Sequence, residues 1–285
     1  MDTQTNPYQI VDLTPERQVW LNILDLPRLA HPMYGLLEVD VTVPRQFIAE
    51  HKARTGESLS FTGYLTRCVA SAVEENKSVQ AHRKGRRQLV QFDEVDVGLM
   101  IERQIGEERV LTGHVIRDAS HKTFREIHEE IRTAQSAQPD QSEEMPGWFR
   151  TVMLLPWPFS SFVKAVFAWV IRRDPTIAVS MAGTVGITAV GMFGKGHSGW
   201  GFEATRHSLA LVVGSTSWKP VIAGERIEAR EILNLTVIFD HDVVDGAPAA
   251  RFTKRLVELI ESGCELETME NQCMSSSIIE EREVS

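Results

Sequence analysis

Phe239-Asp240-His241-Asp242-Val243-Val244-Asp245-Gly246 is the stretch that decides how this chain reads. The apolar run Leu233 to Phe239 delivers His241 to the end of a strand. Four residues later Asp245-Gly246 opens a helix, since Asp is a favoured N-cap and Pro248 suits a first turn. A histidine at such a junction is held by backbone on both sides, and its imidazole changes charge near neutral pH. It can act as a base, or it can simply cap the strand end against its own backbone. The following helix, 247–262, places Phe252, Leu256, Leu259 and Ile260 on one face, with Gly263 just beyond its end.

Outward from this junction the chain alternates strand and helix signals irregularly. Thr184 to Phe193 and Ser208 to Ser215 read as strands, and a Gly224-Glu225 turn separates them from Leu233 to Phe239. Gly35 to Val43 puts Leu37, Val39, Val41 and Val43 on one face of a half-buried strand, and Pro44 suits the first turn of a helix. Phe61, Tyr64, Leu65, Cys68, Val69, Ala72 and Val73 fall at helical steps, with Ser60 as cap. Val95 to Ile101 reads as a strand, followed by a polar turn near Gly106 and a second short strand. Phe124, Ile127, Ile131 and Ala134 mark another helix. The mixture predicts an α/β fold with a mixed sheet.

The 285 residues are 42% hydrophobic and 24% charged, the balance of a soluble globular protein, and the net charge is −9. That charge argues against a nucleic-acid binder, which needs a basic stripe to neutralise phosphates. The basic run Arg83, Lys84, Arg86, Arg87 reads as a solvated loop, or as a feature that steers an anionic ligand. Cys68, Cys264 and Cys273 are odd in number and far apart, so a reducing cytoplasm fits best, with Cys68 in the core. MDTQTNPYQI shows no secretory signal. The histidines have no metal-ligand spacing; His121 and His128 share a region with Glu129 and Glu130 but lack a third ligand. The glycines from Gly191 to Gly201 match no nucleotide motif, because Gly196 follows Lys195, and a mobile loop is the reading there. Ser160, Ser161 and Ser198 lack a nucleophile elbow.

Trp148 to Val170 is strongly apolar, but Arg150 and Lys164 interrupt it, as do Pro156 and Pro158. Two short helices packed on the domain or at a subunit interface fit it better than a membrane span. A peripheral contact with a membrane surface through 148–170, flanked by Arg172 and Arg173, is the other reading. Ala137 to Pro146 is a polar, acidic link into this region. The tail from 266 to 285 is polar and acidic and is expected to fray.

Asp240 to Phe252, with His-x-x-x-Asp-Gly followed by Ala-Pro-Ala-Ala-Arg-Phe, resembles the active-site signature of the catalytic domain of 2-oxo acid dehydrogenase acyltransferases. Its His-x-x-x-Asp-Gly core is shared with chloramphenicol acetyltransferase. Val11 to Arg17, Leu37 to Thr42 and Val115 to Ala119 resemble further family segments. Gly183 to Gly194 is similar to the family strand Gly-Thr-Phe-Thr-Ile-Ser-Asn-Leu-Gly. The resemblance implies a chloramphenicol acetyltransferase-like mixed sheet flanked by helices, in a homotrimer or multiple of trimers with active sites between subunits. It implies coenzyme A as the acyl carrier, and dihydrolipoamide on a separate carrier or a small molecule as acceptor. By position, His241 becomes the general base, Asp245 a structural carboxylate and Thr188 the hydroxyl that donates to the oxyanion, where the family usually has serine. Thr188 can also be read as an ordinary strand residue, and Arg17 as a partner of Asp245 or as a surface arginine.

The chain departs from that family in three places. It shows no lipoyl or subunit-binding domain, so no lipoyl group is expected on it. An apolar helical insert at about 141–182 stands where the family has a shorter connection. The residues around Gly196 to Trp200 differ from the usual pattern. The expectation is a single catalytic domain over 1–265, without a metal and without a covalent enzyme intermediate. The rival expectation is a non-catalytic trimeric scaffold whose insert binds a partner or a membrane surface.

Overall fold

A computed structural model describes residues 13, 18, 21, 31–85, 87–105, 108–136, 151, 159–189, 198–263 and 266. In chain order the elements are β1 (Pro32–Asp40), α1 (Thr42–Thr55), α2 (Phe61–Glu75), a 3-10 turn (Lys77–Gln80), β2 (His82–Lys84) and β3 (Gln88–Val90). Then come β4 (Val97–Ile105), β5 (Glu108–Ile116), α3 (Phe124–Ser136), α4 (Phe159–Arg173) and α5 (Thr176–Ala182). The chain finishes with β6 (Val185–Ala189), β7 (Leu209–Ala223), β8 (Arg226–Asp240) and α6 (Gly246–Ser262). Two units emerge from the contacts: 1–27 with 139–170, and 28–138 with 171–285.

The second unit is built on a six-stranded sheet of order β1-β8-β7-β6-β4-β5. Strand β6 runs parallel to β4 and β7, and the other neighbours are antiparallel, so the sheet is mixed as expected. One face buries Val185 and Ile187 of β6, Leu209, Leu211 and Val213 of β7, and Leu233, Leu235, Val237 and Phe239 of β8. These alternate positions meet the apolar stripes of α2, α3 and α6, because side chains two apart on a strand share a face. Every residue of the anticipated helical stripes, Cys68, Ile127, Ile131, Leu256 and Ile260 among them, lies in this core or packs against it. Tyr64 joins two helices, its hydroxyl donating to Ile260 O at 2.6 Å.

Local chemistry sets the ends of the elements. The Ser60 hydroxyl accepts from Gly63 N at 3.1 Å and starts α2. Gly263, at φ +69°, ends α6 in the left-handed region that favours glycine. Strand β1 stops at Asp40, before the alternation of Val41 and Val43 does. The Asp40 carboxylate accepts from Thr42 N at 2.9 Å and from Thr42 Oγ1 at 2.6 Å and turns the chain into α1, leaving Val43 exposed on its first turn.

The opposite face of the sheet carries Gly186 and Thr188 of β6 and the polar Asn234 and Thr236 of β8, with a small apolar cluster of Ala210 and Val212 of β7 and Ile238 of β8. The segment Ser198–Thr205 crosses this face. Trp200 Nε1 donates to Leu37 O of β1 at 3.1 Å, and Thr236 Oγ1 of β8 donates to Gly201 O at 2.9 Å. Asn234 Nδ2 donates to Ser198 Oγ at 2.9 Å, and Gly199 N donates to Ser215 Oγ at 2.9 Å. Part of the glycine-rich region is therefore a strap tied at four points, and not a loose loop; 190–197 lie outside the described residues.

In the first unit, residues 159–170 belong to helix α4, which carries Phe159, Phe162, Val166 and Trp169 exposed to solvent. No helix among the described residues is long and apolar enough to cross a membrane.

Candidate active site

His241 follows the last residue of β8, and its backbone N–H donates to His31 O, beside the start of β1, at 3.0 Å. The turn closes on Asp240, whose carbonyl accepts from Val243 N at 3.0 Å and Val244 N at 2.9 Å. The Asp240 side chain is buried and accepts from Asp242 N at 3.0 Å; burial pushes its carboxyl up. The imidazole of His241 stands half exposed, at 52%, where a substrate can reach it.

Asp245 occupies the N-cap position of α6, as its place before Gly246 predicts, but its side chain makes no capping hydrogen bond. Its Oδ1 lies 3.9 Å from His241 Nδ1, too long for a hydrogen bond. Arg17 lies outside the described residues. A different carboxylate braces the turn. Asp242 meets His31 Nδ1 at 2.9 Å and pairs with Arg83 Nη1, and these two partners, His31 foremost, hold its carboxyl below the usual range. Arg83 lies on β2 of the small hairpin β2–β3, so this part of the basic run is tied to the histidine turn and is not a free solvated loop. His31 was not legible as a site residue, and Arg83 only as part of a basic run, because they stand 211 and 159 positions from Asp242.

Thr188 sits on β6, and the structure does not bring it to His241 within one chain. In the sheet it pairs with Val212, and Val212 pairs with Thr236, five residues before His241. At a rise of about 3.3 Å per residue, the two positions are about 16 Å apart along the strands. Thr188 Oγ1 is hydrogen-bonded to Glu203 Oε2 on the strap. Burial raises the Glu203 carboxyl above its ordinary range, against the pull of that hydrogen bond. Glu203 was absent from the expected site because nothing periodic marks the strap in the sequence.

Two close approaches at the start of β6 require glycine. Gly183, at φ +83°, links α5 to β6, and a Cβ there would stand 2.7 Å from Asp96 O. Gly186 faces the His207 ring, whose Nδ1 would lie 2.7 Å from a Cβ at that position.

The family model of the 2-oxoacid dehydrogenases acyltransferase (catalytic domain) matches residues 6–147 and 178–268. The chain belongs to that family. A dihydrolipoyllysine-residue succinyltransferase component of the 2-oxoglutarate dehydrogenase complex from Staphylococcus saprophyticus is 23% identical over 233 residues, covering 81% of this chain and 45% of the relative. The chain thus spans about half the length of the curated relatives it matches. Among solved structures, the Azotobacter vinelandii dihydrolipoamide acetyltransferase superposes with TM-score 0.62 at 19% identity, covering 90% of this chain and 92% of the other. A truncated catalytic core of the 2-oxoacid dehydrogenase multienzyme complex from Thermoplasma acidophilum gives 0.60 at 21% identity, with 90% and 99% covered. The fold is that of acyltransferase catalytic domains of this family. Residues 148–177, within the apolar insert, fall outside the family match.

Proposed function

We propose that the chain is a CoA-dependent acyltransferase, moving an acyl group between CoA and a thiol of the dihydrolipoamide type or a small-molecule acceptor. Family membership together with the placement of His241 carries this reading. The study of the Azotobacter enzyme concerns a serine, a histidine and an asparagine in its catalytic mechanism, the last two separated by four residues. His241 and Asp245 have that separation, and in this reading Thr188 stands for the serine.

In this mechanism the neutral imidazole of His241 takes the proton from the acceptor thiol, and the thiolate attacks the thioester carbonyl. Thr188 donates to the resulting oxyanion. Collapse breaks the carbon–sulfur bond to CoA, and His241 returns the proton to the departing thiolate. A positioned base is worth about 10²–10⁴-fold and one oxyanion donor about 10²–10³-fold. Asp245 is a structural carboxylate in this reading, and not an acid.

Both groups must stand within about 3 Å of the reacting atoms. An offset of about 16 Å along the strands therefore supports a site shared between two copies. We take the assembly to be a homotrimer or a multiple of trimers. Tyr34, Leu36 and Phe202 expose an apolar patch on the open sheet face, and Tyr34 meets Phe202 edge to face at 5.7 Å between ring centres. A separate lipoyl carrier and a cytoplasmic setting belong to the same reading, as does a single catalytic domain interrupted by the insert.

A second reading is favoured by the exposed Phe159, Phe162, Val166 and Trp169 of α4. It makes the chain a trimeric scaffold that uses the insert on a partner or a membrane surface. A screen of acyl-CoAs against dihydrolipoamide, amines and alcohols separates the two, read as released thiol, or by chromatography where the acceptor is itself a thiol. Transfer that disappears in His241→Ala supports the enzyme. No transfer, with no binding at millimolar CoA and flotation with liposomes, supports the scaffold.

A further inference from the structure

The strap places a carboxyl group against the one hydroxyl that the proposed chemistry needs. It is fastened to β1 at Leu37, to β8 at Thr236 and Asn234, and to the end of the β7 core at Ser215, so Glu203 arrives at Thr188 on a braced segment. Thr188 Oγ1 and Glu203 Oε2 are hydrogen-bonded, so one proton lies between them. A threonine hydroxyl has only one proton. If ionised Glu203 accepts it, Thr188 has nothing to give an oxyanion, and a second negative charge stands beside the developing one. If Glu203 is neutral, its own O–H donates to Thr188 Oγ1, and the hydroxyl proton of Thr188 is left over.

We propose that Glu203 is a positioning residue that works through Thr188 as a carboxylic acid, donating to Thr188 Oγ1 and so turning the Thr188 proton toward the oxyanion. This rests on Thr188 being the oxyanion donor of an acyl transfer. The surroundings suit a neutral acid. Burial favours that form, and the side chains that meet the strap from β6 and β8, Thr188, Thr236 and Asn234, carry no charge. Among the described residues, the ionisable groups of the adjoining segments include Tyr34, which meets Phe202 of the strap, His207, Glu38, Lys219 and Arg206. His207 Nε2 donates to Ala182 O at 3.1 Å, Glu38 of β1 is tied to Lys219 at 2.7 Å, and Arg206 follows directly after the strap. The consequence is a second titration in turnover. The rate falls as Glu203 loses its proton.

The pH profiles of kcat and KM for acyl transfer test this in four proteins: wild type, Glu203→Gln, Thr188→Ala and the double variant. Glutamine keeps the shape and a donor but does not ionise, so Glu203→Gln is expected to lose the falling limb while KM stays within about twofold. Thr188→Ala lowers kcat by about 10²–10³-fold, and Glu203→Gln then changes nothing further. Glu203→Asp, which keeps an acid, retains the falling limb at a lower kcat and guards against a folding defect of the glutamine variant. A falling limb that persists in Glu203→Gln, or an equal effect of that change with and without Thr188, overturns the assignment of Glu203 alone. Wild-type protein that transfers no acyl group to any acceptor overturns the assignment together with the proposed function.

Discussion

Thr188 on β6 and His241 just past the end of β8 stand two strands apart, with Thr188 aligned through Val212 to Thr236 and His241 five residues beyond it. The register between them is set by the core face. Ile187, Leu211 and Leu235 are buried under the helices, and slipping any of these strands by one residue would expose its whole apolar set. The separation of the two candidate groups is therefore built into the fold.

His241→Ala is expected to lower kcat by about 10²–10⁴-fold while leaving thermal stability near that of wild type. The imidazole is half exposed, and its backbone bond to His31 O survives the change. Acyl transfer followed by chromatography, alongside a melting curve, checks both parts.

Thr188→Ser should retain transfer, because it keeps the hydroxyl, whereas Thr188→Val keeps the shape and loses the donor. The valine variant is expected to lose about 10²–10³-fold in kcat, with KM for the acyl-CoA little changed. Steady-state kinetics of the pair separate donation from packing.

Arg83→Ala removes one of the two braces on Asp242 and loosens the turn that aims His241. The ion pair is partly exposed and is worth about 0.2–1 kcal/mol, so the melting temperature should hardly move. Misplacement of a catalytic group by about 1 Å costs up to about 100-fold, so kcat should fall well beyond what stability explains. Equal kcat in the variant and the wild type would remove Arg83 from the account.

Glu57 joins α1 to α3 through Arg125 at 2.6 Å, His51 at 3.0 Å and His128 at 3.3 Å. The Arg125 guanidinium, chiefly, holds its carboxyl down at about 2, against 4.5 ordinarily. Because the folded value is the lower one, the stabilisation is complete above about 4.5 and disappears as pH falls toward 2. Glu57→Gln should be less stable than wild type by about 1 kcal/mol at neutral pH, allowing for its partial exposure. The gap in denaturation midpoint between the two proteins should close between those pH values.

The helices and central strands were legible because their apolar periods are strong, as in Phe124, Ile127, Ile131 and Ala134 of α3 and the run Leu233 to Phe239. The outer halves of β7 and β8 were not. There Trp218, Ile222 and Ile227 are exposed, Pro220 interrupts the pattern, and an irregularity between Val213 and Thr216 shifts the register. His241, Asp245 and Thr188 could be picked out from motifs local to each. Glu203 and His31 could not, and the pairing of Arg83 with Asp242 could not, since each gains its meaning only from a partner that folding brings near. A polar residue on a glycine-rich strap has no period to announce it.

Complementation between two inactive variants addresses the shared site most directly. His241→Ala and Thr188→Ala chains carrying different tags are co-expressed, and assemblies holding both are purified through the two tags in turn. In a cyclic trimer of mixed composition about one site in three pairs an intact His241 with an intact Thr188 from the neighbouring chain. The account predicts about a third of wild-type kcat per trimer in the mixed assemblies and almost none in either variant alone. Mixed assemblies as inactive as the separate variants would contradict it.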